Sequence, residues 1–304
     1  MTAVAGTACV VDRRPDGDPG PRPERELTLP EIPTSWPAPP EAPSLPVAIA
    51  ARRAAALERL RAGDVEAATA ALEQLALDAG PTYTITNDLA IAHALRGDFA
   101  RSLALADAAL ALHDGPEAGA TRVEALLGLG DRVAAVDDAV ALTRRHPGSA
   151  AAYYALGTAY WSLGNKGDAR IAFESARDRA PDDWASAVAV FACASSDASA
   201  PEFEELGGQL LERSPDDPHV LYLMGAGKER RLEPEEAERL YRRSIAAAEA
   251  RGRPFAWAHW NLAELLDEQR DEAAARPHYQ AFLELAPPSA ARERAEAKKK
   301  LGKR

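Results

Sequence analysis

The side chains of this chain that could do chemistry are six histidines, two cysteines and a scatter of tryptophans and tyrosines. The histidines are His93, His113, His146, His219, His259 and His278, and no two stand four residues apart. There is no His-Glu-x-x-His, so no single helix offers the paired imidazoles of a zinc site. His93 and His259 read as packing residues. Cys9 and Cys193 lie far apart and make no disulfide framework, which fits a reducing compartment. Cys193 is expected on a buried helix, as a small apolar group. No Gly-x-Ser-x-Gly, phosphate-binding loop or dinucleotide fingerprint occurs. The chain therefore reads as non-enzymatic and without a cofactor or metal. What remains is aromatic: Tyr154, Trp161, Tyr222, Trp257 and Trp260 offer large contact area at little entropic cost, the chemistry of binding by contact.

Charge narrows the partner. A net charge of −11 argues against a nucleic-acid or anionic-membrane binder, each of which needs a basic face. No apolar run approaches the ~20 residues that span a bilayer. The stretch Met1–Val11 is mildly apolar, but Arg13 and Arg14 follow it rather than precede it, the wrong polarity for a secretory signal. The expected location is the cytoplasm, and the expected partner is a protein or peptide.

The elements that must position the aromatics follow from a spacing. Tyr153, Leu156, Gly157, Tyr160, Leu163, Gly164, Ala169, Phe173, Ala176 and Pro181 put small residues where two helices would touch and a proline where the second must stop. Pro215 repeats Pro181 one period later. This pattern resembles the tetratricopeptide repeat, a helix–turn–helix unit of that period. Seven units can be laid down, at about 49–82, 83–115, 116–149, 150–183, 184–217, 218–251 and 256–289. Gly63-Asp64, Gly97-Asp98 and Gly130-Asp131 fall at the period as inter-helix turns rather than metal loops. Two units depart from the pattern: Arg122-Val123 and Val190-Phe191 stand where Leu-Gly is expected. Pro201 is expected at the first position of the fifth unit's second helix, capped by Ser199 or Ala200. A short insertion, Ala250–Pro254, precedes the seventh unit. Residues 290–304 read as a polar capping helix with a basic tail, Lys298 to Arg304. The implied fold is all-α: a right-handed superhelix, or α-solenoid, of about seven helical hairpins plus the C-terminal capping helix.

Residues 1–48 are different material. Eleven of the prolines lie between Pro15 and Pro46, which should hold the segment extended or disordered. It reads as a solvated arm, as a polyproline-type ligand through spacings such as Pro30–Pro33, or, given Leu27, Leu29, Ile32, Trp36 and Leu45, as an arm that docks back on its own repeats.

In the family this chain resembles, the first helix of each unit lines a concave groove through its second, fifth, ninth, twelfth and thirteenth positions. Carried over residue by residue, the groove offers Arg53, Arg61 and Asn87 near one end, Tyr154, Thr158, Trp161 and Tyr222 in the middle, and Trp257, Trp260, Asn261, Glu264 and Asp267 at the other. A peptide crossing it would meet opposite charge at its two ends and so a preferred direction. The packing alternative stays open for each aromatic. The carboxylate clamp that some family members use for heat-shock chaperones is not reproduced: Arg53, Leu57, Asn87, Asp88, Glu117 and Thr121 occupy its places. The implied function is a peptide- or protein-binding adaptor. The alternative is a structural or self-associating subunit whose groove holds its own or a neighbour's arm.

Overall fold

A computed structural model describes residues 45–286 and 290–302, and within them every regular element is a helix. The prolines before Pro46, Cys9, and the Pro287 expected to close the seventh unit lie outside the described residues. Fourteen helices pair in sequence: α1 (Val47–Arg61) with α2 (Val65–Ala79), α3 (Tyr83–Leu95) with α4 (Phe99–Leu112), α5 (Pro116–Gly128) with α6 (Arg132–Arg145), α7 (Ala150–Ser162) with α8 (Lys166–Arg179), α9 (Trp184–Ser196) with α10 (Phe203–Arg213), α11 (Pro218–Arg230) with α12 (Pro234–Ala250), and α13 (Ala256–Glu268) with α14 (Glu272–Leu285). The last helix, α15 (Ala291–Gly302), packs on α14. Each hairpin also packs on the next, so the chain is an α-solenoid.

Local chemistry sets the turns. Gly63, Gly97, Gly130 and Gly164 end the first helices in the left-handed region, at φ of 84°, 77°, 84° and 78°. Only glycine enters that region without strain. The next residue caps the second helix: Asp64, Asp98, Asp131 and Asn165 accept the backbone N–H of Ala67, Arg101, Ala134 and Asp168. The sixth and seventh hairpins keep the turn without the glycine, placing Leu232 at φ 60° and Arg270 at φ 63°. Pro234 opens α12, with Glu235 and Glu236 at its positive end. The fifth hairpin corrects one expectation. Pro201 is not the first residue of α10, which begins at Phe203 after a turn through Pro201 and Glu202. No side chain caps α10, and at 11 residues it is the shortest helix.

In the fourth, fifth and sixth hairpins the two helices meet at an equivalent pair of positions. In the fourth, a side chain on Gly157 would come within 2.5 Å of the Phe173 ring; in the sixth, one on Gly225 would come within 2.8 Å of Tyr241. The fifth hairpin inverts the pair. Phe191 takes the small place and stacks on Phe203 at 5.5 Å, while Gly207 takes the large one, where a Cβ would sit 2.9 Å from Phe191. The apparent degeneracy at Val190-Phe191 is thus an exchange of large and small that conserves volume. Phe203 in turn fills the space that a side chain on Gly227 of α11 would need.

Arginines tie each of the third to sixth hairpins to the one before it. Arg145, Arg179 and Arg213 stand one period apart at the ends of their helices. Arg145 pairs with Asp114, Arg179 Nε donates to the Pro147 carbonyl at 2.8 Å, and Arg213 Nη2 to that of Asp182 at 3.4 Å. Arg243 Nη2 does the same for Pro215 at 2.6 Å. The guanidinium of Arg179 also lies 3.7 Å from the centre of the Tyr153 ring.

Neighbouring glycines of α10 give opposite expectations. Gly207→Ala should lower stability by about 1–3 kcal/mol through overpacking against Phe191 and Met224. Gly208→Ala, with open space around it, should raise stability by about 0.5–1 kcal/mol. Urea denaturation of the two variants beside the parent measures both signs.

Candidate functional site

All twelve residues expected to line a groove lie on the first helices of their hairpins, α1, α3, α7, α11 and α13. Their surroundings divide them. Arg61 is exposed, and Arg53, Tyr154, Thr158, Trp257, Glu264 and Asp267 are half-buried. Asn87, Trp161, Tyr222, Trp260 and Asn261 are buried by the array itself, Tyr222 completely.

At the N-terminal end, Arg53 grips Asp88 of α3 with two nitrogens, the Nη2–Oδ1 contact being 3.0 Å. The Asp88 side chain is only 5% exposed. Burial pushes its carboxyl above the usual range, and the Arg53 guanidinium pulls it back. Arg61 pairs with Glu58, one turn earlier on α1. Asn87 is buried next to Asp88, and its Oδ1 meets no hydrogen-bond partner among the described residues.

In the middle, Tyr154 leans on Phe173 of α8 at 5.4 Å and leaves part of its surface accessible. Burial, then the charges of Glu124 and Asp183, hold its hydroxyl protonated well above the ordinary tyrosine range. Thr158, one turn on, donates its hydroxyl to the Tyr154 carbonyl at 3.0 Å. Trp161 is buried beneath Lys166, whose Nζ lies 3.2 Å from the ring centre.

At the C-terminal end the aromatics are packing residues. Tyr222 sits between Tyr241 at 6.1 Å and Phe255 at 5.1 Å. Trp260 is wedged against Tyr279 at 5.9 Å and Phe282 at 5.0 Å, and Trp257 rests on Phe282 at 5.7 Å. Asn261 donates to the Tyr241 hydroxyl at 3.2 Å. Glu264 accepts from the Tyr279 hydroxyl, and Asp267 pairs with Lys300 of α15. The charges expected to orient a peptide, Arg53 at one end and Asp267 at the other, thus each have an internal counter-ion.

Two features escaped the sequence reading. Phe255, between the insertion and α13, covers Tyr222 and also meets His219 at 4.8 Å; being outside the repeat register, it had no position to be read from. The second is a pair: His259 of α13 and His278 of α14 place their Nδ1 atoms 3.1 Å apart. Burial depresses both. Glu249 opposes this at His259, while His259 and Arg242 add to it at His278, which is pushed down to about 4.

Two outcomes follow. For the histidine pair, the folded state holds fewer protons than the unfolded state once pH falls below the unfolded value near 6.5. Stability should therefore decline from about pH 6.5 toward 4. The urea midpoint of His278→Gln should fall less steeply over that window than the parent's. For the buried ion pair, Arg53→Ala strands Asp88 and should cost about 3–5 kcal/mol. Arg61→Ala, exposed, should change stability by no more than about 0.5 kcal/mol. Thermal denaturation separates the two.

The chain's likeness to known proteins agrees with this geometry. A family model described as "Tetratricopeptide repeat" matches residues 53–117 and 121–183. No curated protein sequence matches the chain. A tetratricopeptide repeat protein from Parabacteroides merdae ATCC 43184 superposes with a TM-score of 0.58 at 16% identity, covering 83% of this chain and 97% of its own. The structure of the APC/C hetero-tetramer Cut9-Hcn1 superposes with a TM-score of 0.60 at 11% identity over 73% of this chain, which spans 43% of that one. At these identities the likeness is one of fold. Among the described residues no helix is long and apolar enough to cross a membrane. Over residues 53–117 and 121–183 the chain matches the tetratricopeptide repeat family, and the later hairpins continue the same fold.

Proposed function

We propose that the protein is a non-enzymatic scaffold of the cytoplasm that holds an extended segment of a partner protein along the face formed by its first helices. The observation that carries this reading is the state of Tyr154. It is an aromatic side chain on the clearest repeat, backed by Phe173, within the electrostatic reach of Glu124 on the preceding first helix, and still partly accessible. A rigid aromatic on a firm base is the usual anchor of a protein interface. Thr158 lies one turn along the same helix. On this reading Tyr154 and Thr158 make the principal contacts, and Arg61, Trp257, Glu264 and Asp267 form the margins. Tyr222, Trp260 and Asn261 act from behind by holding the hairpins in place.

One observation favours a second reading, in which the arm 1–44 occupies this face. Leu45 and Ile49, where the chain enters the array, pack on the apolar cluster of the first hairpin built around Ala56, Leu60 and Leu72.

A library of extended peptides displayed on phage, selected against the full chain, supplies a probe for both. By fluorescence anisotropy, Tyr154→Ser and Thr158→Arg should each weaken a selected peptide about tenfold or more, the weight of ~1.4 kcal/mol. Unchanged affinity in variants that keep the parent's melting temperature would sink the groove assignment. Removing residues 1–44 discriminates further: tighter binding means the arm competes for the face, and unchanged binding means it does not.

A further inference from the structure

Repeat arrays hold together through contacts between neighbours. The arginine ties from Arg179, Arg213 and Arg243 obey that rule, each reaching into the preceding hairpin. Arg253 does not. Its Nη1 donates to the carbonyl of Arg61 at 2.6 Å, across 192 residues of sequence. Its side chain also lies 3.5–3.8 Å from where a Cβ on Gly63 would stand. The two contacts fix one geometry: the insertion before the seventh hairpin rests on the turn of the first. The solenoid has come round far enough for its two ends to meet.

The chemistry of the contact is specific. The last carbonyls of a helix have no partner inside it, and they carry the negative end of its dipole. Arg61 supplies such a carbonyl at the end of α1. A guanidinium delivered from outside satisfies it and brings the matching charge. Gly63, which the left-handed turn already requires, stands within ordinary contact range of the Arg253 stem.

The insertion is held ready on its own side. The Arg253 N–H bonds to the Ala248 carbonyl at 3.0 Å, and Arg251 pairs with Asp217, the cap of α11, at 3.5 Å. Phe255 is seated on His219 and Tyr222. The segment is thus anchored at both ends and offers one exposed arginine to the far end of the array.

We propose that Arg251–Phe255 is a latch that joins the junction of the sixth and seventh hairpins to the first, and that its closure sets how far the solenoid opens. The contact is an exposed hydrogen bond to a backbone carbonyl, so it opens and closes readily, and each opening frees the end of α1 from the insertion without disturbing the neighbour contacts between. Closed, it fences the first-helix face at its side; open, it admits a segment laterally. The latch stands whether or not a peptide occupies that face, because its test reads the shape of the chain and not its binding.

The test uses the full chain, with Arg253→Ala and, as a comparison, Arg213→Ala, which removes a neighbour tie. Small-angle scattering should give a larger radius of gyration for Arg253→Ala than for the parent or Arg213→Ala. Amide exchange in α1 should quicken about fivefold, the equilibrium weight of one hydrogen bond, while exchange in α7 and α8 stays as in the parent. Arg253→Lys, which keeps the charge but loses the planar fork, should fall between. A parental radius together with parental exchange in α1 for Arg253→Ala would overturn the latch. So would expansion no greater than that of Arg213→Ala.

Discussion

The fourth, fifth and sixth hairpins depend on one steric requirement: where the two helices cross, one carries a large side chain and the other almost none. Gly157 with Phe173 and Gly225 with Tyr241 meet it in one sense, and Phe191 with Gly207 in the other. Helices that approach this closely cannot both present bulk, and a cavity on both sides would cost as much as a clash. Because it is the pair that is constrained, the fifth hairpin keeps its geometry while losing the usual sequence. The aromatics that meet this requirement also stiffen the array. Tyr154 is firm because Phe173 lies beneath it, and Phe173 has room because Gly157 has no side chain.

Much of the fold was legible because it is written locally. A glycine that must take a positive φ, followed by an aspartate whose carboxylate caps the next helix, marks a turn within two residues, and Gly63-Asp64 and Gly97-Asp98 do so without reference to anything distant. The register also put the candidate site residues on the first helices of their hairpins. It could not say how far each would be covered. Position on a first helix says which way a side chain leaves the axis, whereas the burial of Tyr222 depends on Phe255, between α13 and an insertion that has no register. The same limit hid Asp88, which pairs with Arg53 from the next hairpin, and the contact of His259 with His278. The arginines at 145, 179 and 213 were the readable signal that went unused, since their spacing is the period itself.

Electrostatics changed most between sequence and structure. A row of charges along a helix suggests a field, but a field needs charges without near partners. Arg53 is balanced by Asp88 and Asp267 by Lys300. These two charges are therefore balanced inside the array. On the proposed function, recognition on the first-helix face would rest on shape and aromatic contact more than on attraction at a distance. An orientation for a bound segment would come from where the side chains stand.

The contact of Phe203 with Gly227 crosses from the fifth hairpin to the sixth. Units that fit one another by a shared pattern can be lost, gained or shuffled by descent, since any copy will stack on any other. These two cannot. A copy with the usual small residue in place of Phe203 would leave a hole over Gly227, and a sixth unit with a side chain in place of Gly227 would collide with Phe203. The two hairpins are a single heritable piece, as are the second and third, where Phe99 fills the space a side chain on Gly128 would need, and a genealogy of this array would have to move each pair together.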